Sequence, residues 1–131
     1  MRRAHGFTLL EMVVATLIMA IAVVGLLGAI SGAVHNAARL RDYDRVVQLG
    51  RLRMNDILAD PAYPLAGVFD PDLTGGMEAG WEAQVAPFEE PPSPSPNAQA
   101  LDHVRLEIWW IPGGQRRTFT IEGLRRRLVA P

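Results

Sequence analysis

Glu11 is the residue whose placement most needs a chemical reason: its carboxylate lies between a basic start, Arg2 and Arg3, and 23 consecutive uncharged residues, 12–34. A carboxylate at the centre of a bilayer costs about 2.5–3.5 kcal/mol and less near the edge, so one at that depth usually has a cationic partner. Alone, Glu11 could instead be explained as a first-turn residue, favoured by the positive end of the helix dipole by about 0.3–1 kcal/mol and able to reach the headgroups. Other chemistry-bearing groups are sparse. Asp70-x-Asp72-x-Thr74-Gly75 has the alternating oxygens and sixth-place glycine that open an EF-hand calcium loop, but Trp81 stands at the twelfth place, where a bidentate glutamate is required. Turn chemistry explains residues 70–76 more simply. His5, His35 and His103 lack metal-ligand spacing, and zinc needs three or four protein ligands. The absence of cysteine removes disulfides, thiolate catalysis and cysteine-ligated zinc. No Ser-His-Asp set, phosphate-cradling glycine loop or paired-carboxylate cleft can be assembled. The sequence thus points away from an enzyme, a metal centre or a cofactor.

The element that positions Glu11 is the uncharged run behind it. About 20 apolar residues cross a bilayer core as a helix, and residues 12–34 are mostly Val, Leu, Ile, Met and Ala. A cleaved secretory signal would have an apolar region of only about 7–15 residues and a small-residue cleavage site after it. Arg2 and Arg3 before the span place the N-terminus in the cytoplasm and everything after Arg39 on the other side. Within the run, Gly28-x-x-x-Gly32 has the spacing that lets helices pack closely. The chain of 131 residues has room for one such anchor and one small head. Its thirteen basic residues, all arginine, nearly cancel fourteen acidic ones, so the net charge of −1 gives no sign of a nucleic-acid partner.

The segment Gly6-Phe7-Thr8-Leu9-Leu10-Glu11-Met12 resembles the processing site of type IV pilin-like proteins. It joins a short basic leader, a Gly-Phe junction, a glutamate at the fifth position after that junction and a long apolar run. The resemblance implies that a prepilin peptidase cleaves after Gly6, that the new terminal Phe7 is N-methylated, and that Glu11 contacts the terminal amine of a neighbouring subunit. His5 would leave with the leader. Physical chemistry agrees, because two opposite charges in a poor dielectric gain more by pairing than they would in water. A glycine at the junction also lets a protease approach the backbone closely.

Beyond the span, Leu40, Tyr43, Val47, Met54 and Ile57 form an apolar stripe among charged residues, which predicts an amphipathic continuation of the helix. With only Gly50 as a mild breaker before Pro61, one helix is expected from about Thr8 to Leu58, roughly 75 Å at about 1.5 Å per residue. Residues 61–80 read as a loop. A half-buried strand is expected over residues 80–87, with Trp81, Ala83 and Val85 on one face. A hairpin is expected from residues 103–111 through Pro112-Gly113-Gly114-Gln115 to residues 116–122, with Val104, Leu106, Ile108 and Trp110 facing the helix stripe. Trp81, Trp109 and Trp110 are read as sheet packing. The proline-rich stretch 87–100 is expected outside the sheet, and Arg125, Arg126 and Arg127 as a solvated charge run.

These expectations give an α+β fold of the pilin-like kind: a leader, 1–6; a transmembrane helix half, 7–38; an amphipathic helix half, 39–60; and an extracytoplasmic head, 61–131, carrying the proline-rich loop. The outer-helix segment Leu52-x-x-Asn55-Asp56-Ile57-Leu58, the strand opening Gly80-Trp81 and the strand turning at Pro112-Gly113-Gly114 look like the I-type minor pseudopilin of type II secretion systems. That resemblance implies a structural subunit that joins other minor pseudopilins in a hetero-oligomeric complex at the pseudopilus tip and initiates filament assembly for the export of folded proteins. The implied partners are other pseudopilins, prepilin peptidase and the inner membrane, with no nucleic acid and no small-molecule substrate. A minor type IV pilin, serving adhesion, motility or DNA uptake, would share the fold. A membrane-anchored binding domain unrelated to filaments would need neither cleavage nor Glu11.

Overall fold

A computed structural model describes residues 6–93, 95 and 98–129. The leader expectation therefore lies outside the described residues except at Gly6, as do Pro94 and Pro96 of the proline-rich stretch. Helix α1 runs from Leu9 to Ala59, within one residue of expectation at each end. Thr8 caps it: its Oγ1 accepts from the Glu11 N–H at 3.2 Å, and its carbonyl accepts from Met12 N–H at 3.2 Å. Pro61 follows its other end.

The chain divides into two compact units, Met1–Leu40 and Arg41–Pro131, and α1 contributes to both. In the first, every described side chain is exposed, the apolar ones included. Its helix is long and apolar enough to cross a bilayer.

In the second unit, α1 packs on a four-stranded antiparallel sheet of order β1-β2-β3-β4. The elements are β1 (Ala66–Val68), helix α2 (Pro71–Thr74), β2 (Glu78–Glu89), β3 (Gln99–Ile111) and β4 (Arg117–Leu128). The α+β arrangement is as expected. Strand alternation puts Ala79, Trp81 and Ala83 of β2 with Val104, Leu106, Ile108 and Trp110 of β3 on the face that meets the helix, and all are buried. Phe119 and Ile121 of β4 continue the same rows, opposite Ile108 and Leu106. Gly113 and Gly114 both adopt positive φ in the β3–β4 turn, at 66° and 92°.

The helix stripe needs one correction of phase. The buried residues are Val46, Gly50, Met54 and Ile57, whereas Leu40 is exposed and Val47 only half-buried. Steps of four, four and three residues keep one helical face toward the sheet, and Val47 is turned about 100° from Val46. Tyr43 is largely exposed, although its ring meets Trp110 at 5.9 Å and Phe119 at 6.1 Å. Gly50 is the centre of the face rather than a breaker. A Cβ there would overlap Ile108 Cδ1 and stand 3.0 Å from Phe119 Cζ. Gly50→Val is accordingly expected to destabilise this unit by about 1–3 kcal/mol, as overpacking does in close-fitted cores. Thermal unfolding followed by tryptophan fluorescence measures it, and an unchanged midpoint would contradict the close approach.

Residues 61–80 are not all loop. β1 is too short for its alternation to be read, and it exists by pairing Ala66, Gly67 and Val68 with Glu82, Trp81 and Gly80. The Trp81 ring occupies the space a side chain at Gly67 would need. α2 is capped by Asp70, whose Oδ1 accepts from Asp72 N–H at 2.9 Å. Buried Thr74 donates its hydroxyl to the Met77 carbonyl. The acid spacing that resembled a calcium loop is thus a helix cap. Arg53 joins this region to α1: it donates to Tyr63 Oη at 3.0 Å and stacks over Trp81 and Phe69 at 4.9 and 5.6 Å.

The proline-rich stretch is shorter than expected. β2 extends through Pro87 to Glu89, β3 begins at Gln99, and Ala100 is buried. A register shift between Pro87 and Glu89 accommodates the proline where β1 no longer pairs with β2. Trp109 also departs from its neighbours. It lies on the opposite sheet face, over Gly80, with the Arg116 guanidinium 4.9 Å from its ring.

The arginine run is the largest correction. β4 continues six residues beyond Glu122, and Arg125 is half-buried, its side chain only 10% exposed. Asp102, on the neighbouring strand, is 3% exposed and takes both cations: Arg127 Nε at 3.2 Å and Arg125 Nη2 at 3.5 Å. Arg125 also donates Nη1 to the Ile57 carbonyl at 3.2 Å, satisfying an acceptor in the last turn of α1.

Candidate functional site

The chemistry singled out at the N-terminus gathers at the start of α1. Gly6, Phe7 and Thr8 precede the helix, and the first helical turn carries Glu11. Gly6 and Phe7 are exposed, Phe7 at 78%, and among the described residues nothing beyond the chain neighbours lies within 4 Å of where a Cβ on Gly6 would stand. The peptide bond between them is therefore non-helical and open to approach, which a protease requires.

Glu11 is exposed and, among the described residues, forms no ion pair. Its position has a structural component that the motif reading passes over. Thr8-Leu9-Leu10-Glu11 is a capping-box pattern, in which the threonine oxygen takes the backbone N–H of the residue three along and the glutamate reaches back to the N–H of the threonine. Only the threonine half is made among the described residues. The cap is satisfied by Thr8, so the carboxylate of Glu11 remains available, one helical turn beyond Phe7, where the helix dipole already favours negative charge.

Behind it, apart from the helix's own backbone, nothing among the described residues lies within 4 Å of where Cβ atoms on Gly25, Gly28 and Gly32 would stand. In the head, the remaining charged contacts are solvated or structural. Glu122 lies 3.2 Å from Arg105 and 3.6 Å from His103, all substantially exposed. Asp102 is enclosed by its two arginines, and among the described residues no group of three or more metal-ligating side chains occurs.

Residues 1–27 match the family model of the prokaryotic N-terminal methylation motif, a span that includes Gly6, Phe7 and Glu11. Over 133 aligned positions the chain is 30% identical to type II secretion system protein I of Pseudomonas aeruginosa, covering 98% of this chain and 95% of the relative. The chain belongs to the type II secretion system protein I family. The pseudopilin resemblance carried by the N-terminal motif and the head therefore holds over nearly the whole length. No solved structure matches the chain. As a pseudopilin with one exposed apolar helix of spanning length, it fits a single-pass inner-membrane protein.

Proposed function

We propose that this protein is a minor pseudopilin that joins other pseudopilins at the tip of the pseudopilus and helps to initiate its assembly. The observation that carries the reading is the start of α1: an exposed Gly6–Phe7 junction, a Glu11 carboxylate one turn later that forms no ion pair among the described residues, and exposed apolar side chains along the helix that follows. The full-length relationship to protein I supports it.

In this reading the N-terminus begins in the cytoplasm and the head is periplasmic. Prepilin peptidase hydrolyses the Gly6–Phe7 peptide bond, and water supplies the elements of the Gly6 carboxylate and the Phe7 amine. A methyl donor then replaces one hydrogen on that amine, a proton is released, and the methylated amine remains a cation at neutral pH. The amine enters the apolar layer beside the Glu11 carboxylate of a neighbouring subunit, where the low dielectric strengthens their attraction. Pairing of one subunit's terminus with the next subunit's Glu11 sets the axial register, and the uncovered apolar helices pack around it. Apart from the methyl donor used in processing, the cycle calls on no small-molecule substrate, cofactor or nucleic acid.

Mass spectrometry of the N-terminal peptide from membranes of cells that possess a prepilin peptidase tests the processing step. The expected terminus is a methylated Phe7. An intact Met1 terminus in such cells would refute the proposal at its first step.

A further inference from the structure

The two edges of the sheet are built differently. β1, at one edge, is three residues long and offers little to a further strand. β4, at the other, is twelve residues long, contains no proline and keeps an unshifted register with β3 from Arg117 to Leu128. Among the described residues, no segment bonds to its outer side. Exposed edges are ordinarily blunted by a short strand, a proline, a bulge, a cover or charged side chains, because their free N–H and C=O groups recruit other strands. Of these β4 has only its charges, which are nearly all of one sign and so repel a basic strand while admitting an acidic one.

We propose that the outer edge of β4 is a docking edge that accepts an extended acidic segment of another polypeptide as a fifth, antiparallel strand. The backbone dictates the shape of the occupant, since a row of alternating donors and acceptors is matched by an extended chain. Charge dictates its composition. β4 carries Arg117, Arg125, Arg126 and Arg127 against a single acid, Glu122. Asp102 engages Arg125 and Arg127, while Glu122 engages Arg105. Arg117 and Arg126 are left without an acidic partner among the described residues. Arg126 alternates to the sheet face opposite Arg125 and Arg127, so it does not share Asp102. Acidic side chains on an added strand would complete cross-strand pairs with Arg117 and Arg126. A second copy of β4 would instead bring four more arginines to the same edge. The inference is independent of the role assigned to Glu11.

The test uses the full-length protein in detergent micelles and a synthetic ten-residue peptide of valine and threonine with glutamate at its two ends, whose carboxylates lie on opposite faces as Arg117 and Arg126 do, read by amide hydrogen exchange. With peptide bound, the alternate β4 amides that do not bond to β3 are expected to exchange at least about tenfold more slowly. The protection should vanish when every backbone N–H of the peptide is methylated. Arg117→Glu together with Arg126→Glu should transfer the preference to the same peptide with lysine at its two ends. The wild-type comparison stands whether or not that double variant folds. Unchanged β4 exchange at saturating peptide overturns the proposal, as does protection that survives backbone methylation. So does protection present without peptide that rises with protein concentration, because it would place a second copy at the edge.

Discussion

Glu11→Gln is expected to leave membrane insertion and leader removal intact while lowering recovery with neighbouring pseudopilins by roughly two to three and a half powers of ten. Insertion depends on the summed hydrophobicity of residues 12–34, which loss of a charge can only favour. The Gly6–Phe7 bond lies outside the helix, and Thr8 caps that helix through its own hydroxyl, so neither proposed step needs the Glu11 carboxylate. Assembly is different. Removing one member of a desolvated pair leaves the other charge uncompensated at a cost of about 3–5 kcal/mol, and each tenfold change in affinity is about 1.4 kcal/mol. Co-purification from membranes, scored beside the N-terminal mass, separates the two steps. A variant that is cleaved, inserted, assembled and active in secretion at the wild-type level would reduce Glu11 to a helix-terminus carboxylate.

Asp102→Ala is expected to produce the largest loss of head stability of any single polar substitution, about 3–5 kcal/mol. The carboxylate accepts from Arg127 Nε at 3.2 and 3.3 Å and faces Arg125 Nη2 at 3.5 Å. Arg127 is 41% exposed and water can compensate it, so most of the cost falls on Arg125, which keeps only its bond to the Ile57 carbonyl. Asp102→Asn should recover little, because it preserves size but not charge. Asp102→Leu combined with Arg125→Met should recover much of the loss, since replacing a whole buried pair by apolar groups of similar volume is often neutral. Urea unfolding followed by the fluorescence of Trp81 and Trp110 measures all three. A loss for Asp102→Ala below about 1 kcal/mol would mean that the pair behaves as a surface bridge.

What could be read from the sequence was whatever one short pattern determines. The apolar run fixes the span, period-two alternation fixes β3, and Gly113-Gly114 fixes the turn after it. Gly6, Phe7 and Glu11 were legible because they are contiguous. Thr8 was equally legible as the first residue of Thr8-x-x-Glu11, but the motif reading spends that glutamate on a neighbour and leaves the cap unasked for. β1 and α2 are three and four residues long, too few for a period to show. The phase of the helix face turned on Gly50, which reads locally as a breaker and is required only because Ile108, 58 positions away, approaches it. Arg125 looked like part of a solvated run for the same reason. Its partners, Asp102 and Ile57, are determined by strand register and by helix packing, and neither is a property of the neighbouring residues.

The bond from Arg125 to the Ile57 carbonyl also has a consequence for the order in which the molecule is made. It joins positions 68 apart in a chain synthesised from its N-terminus. At about 5–20 residues per second, roughly 3–14 s separate the translation of Ile57 from that of Arg125. Throughout that interval Val46, Met54 and Ile57 have no finished sheet to cover them, while the apolar stretch ahead of them is already long enough to enter a bilayer. Anchoring thus precedes closure of the head. A chain stopped after Leu124 would retain Asp102 but neither of its cations, so the end of β4, residues 125–128, acts as a latch whose absence leaves Asp102 uncompensated in an otherwise finished sheet.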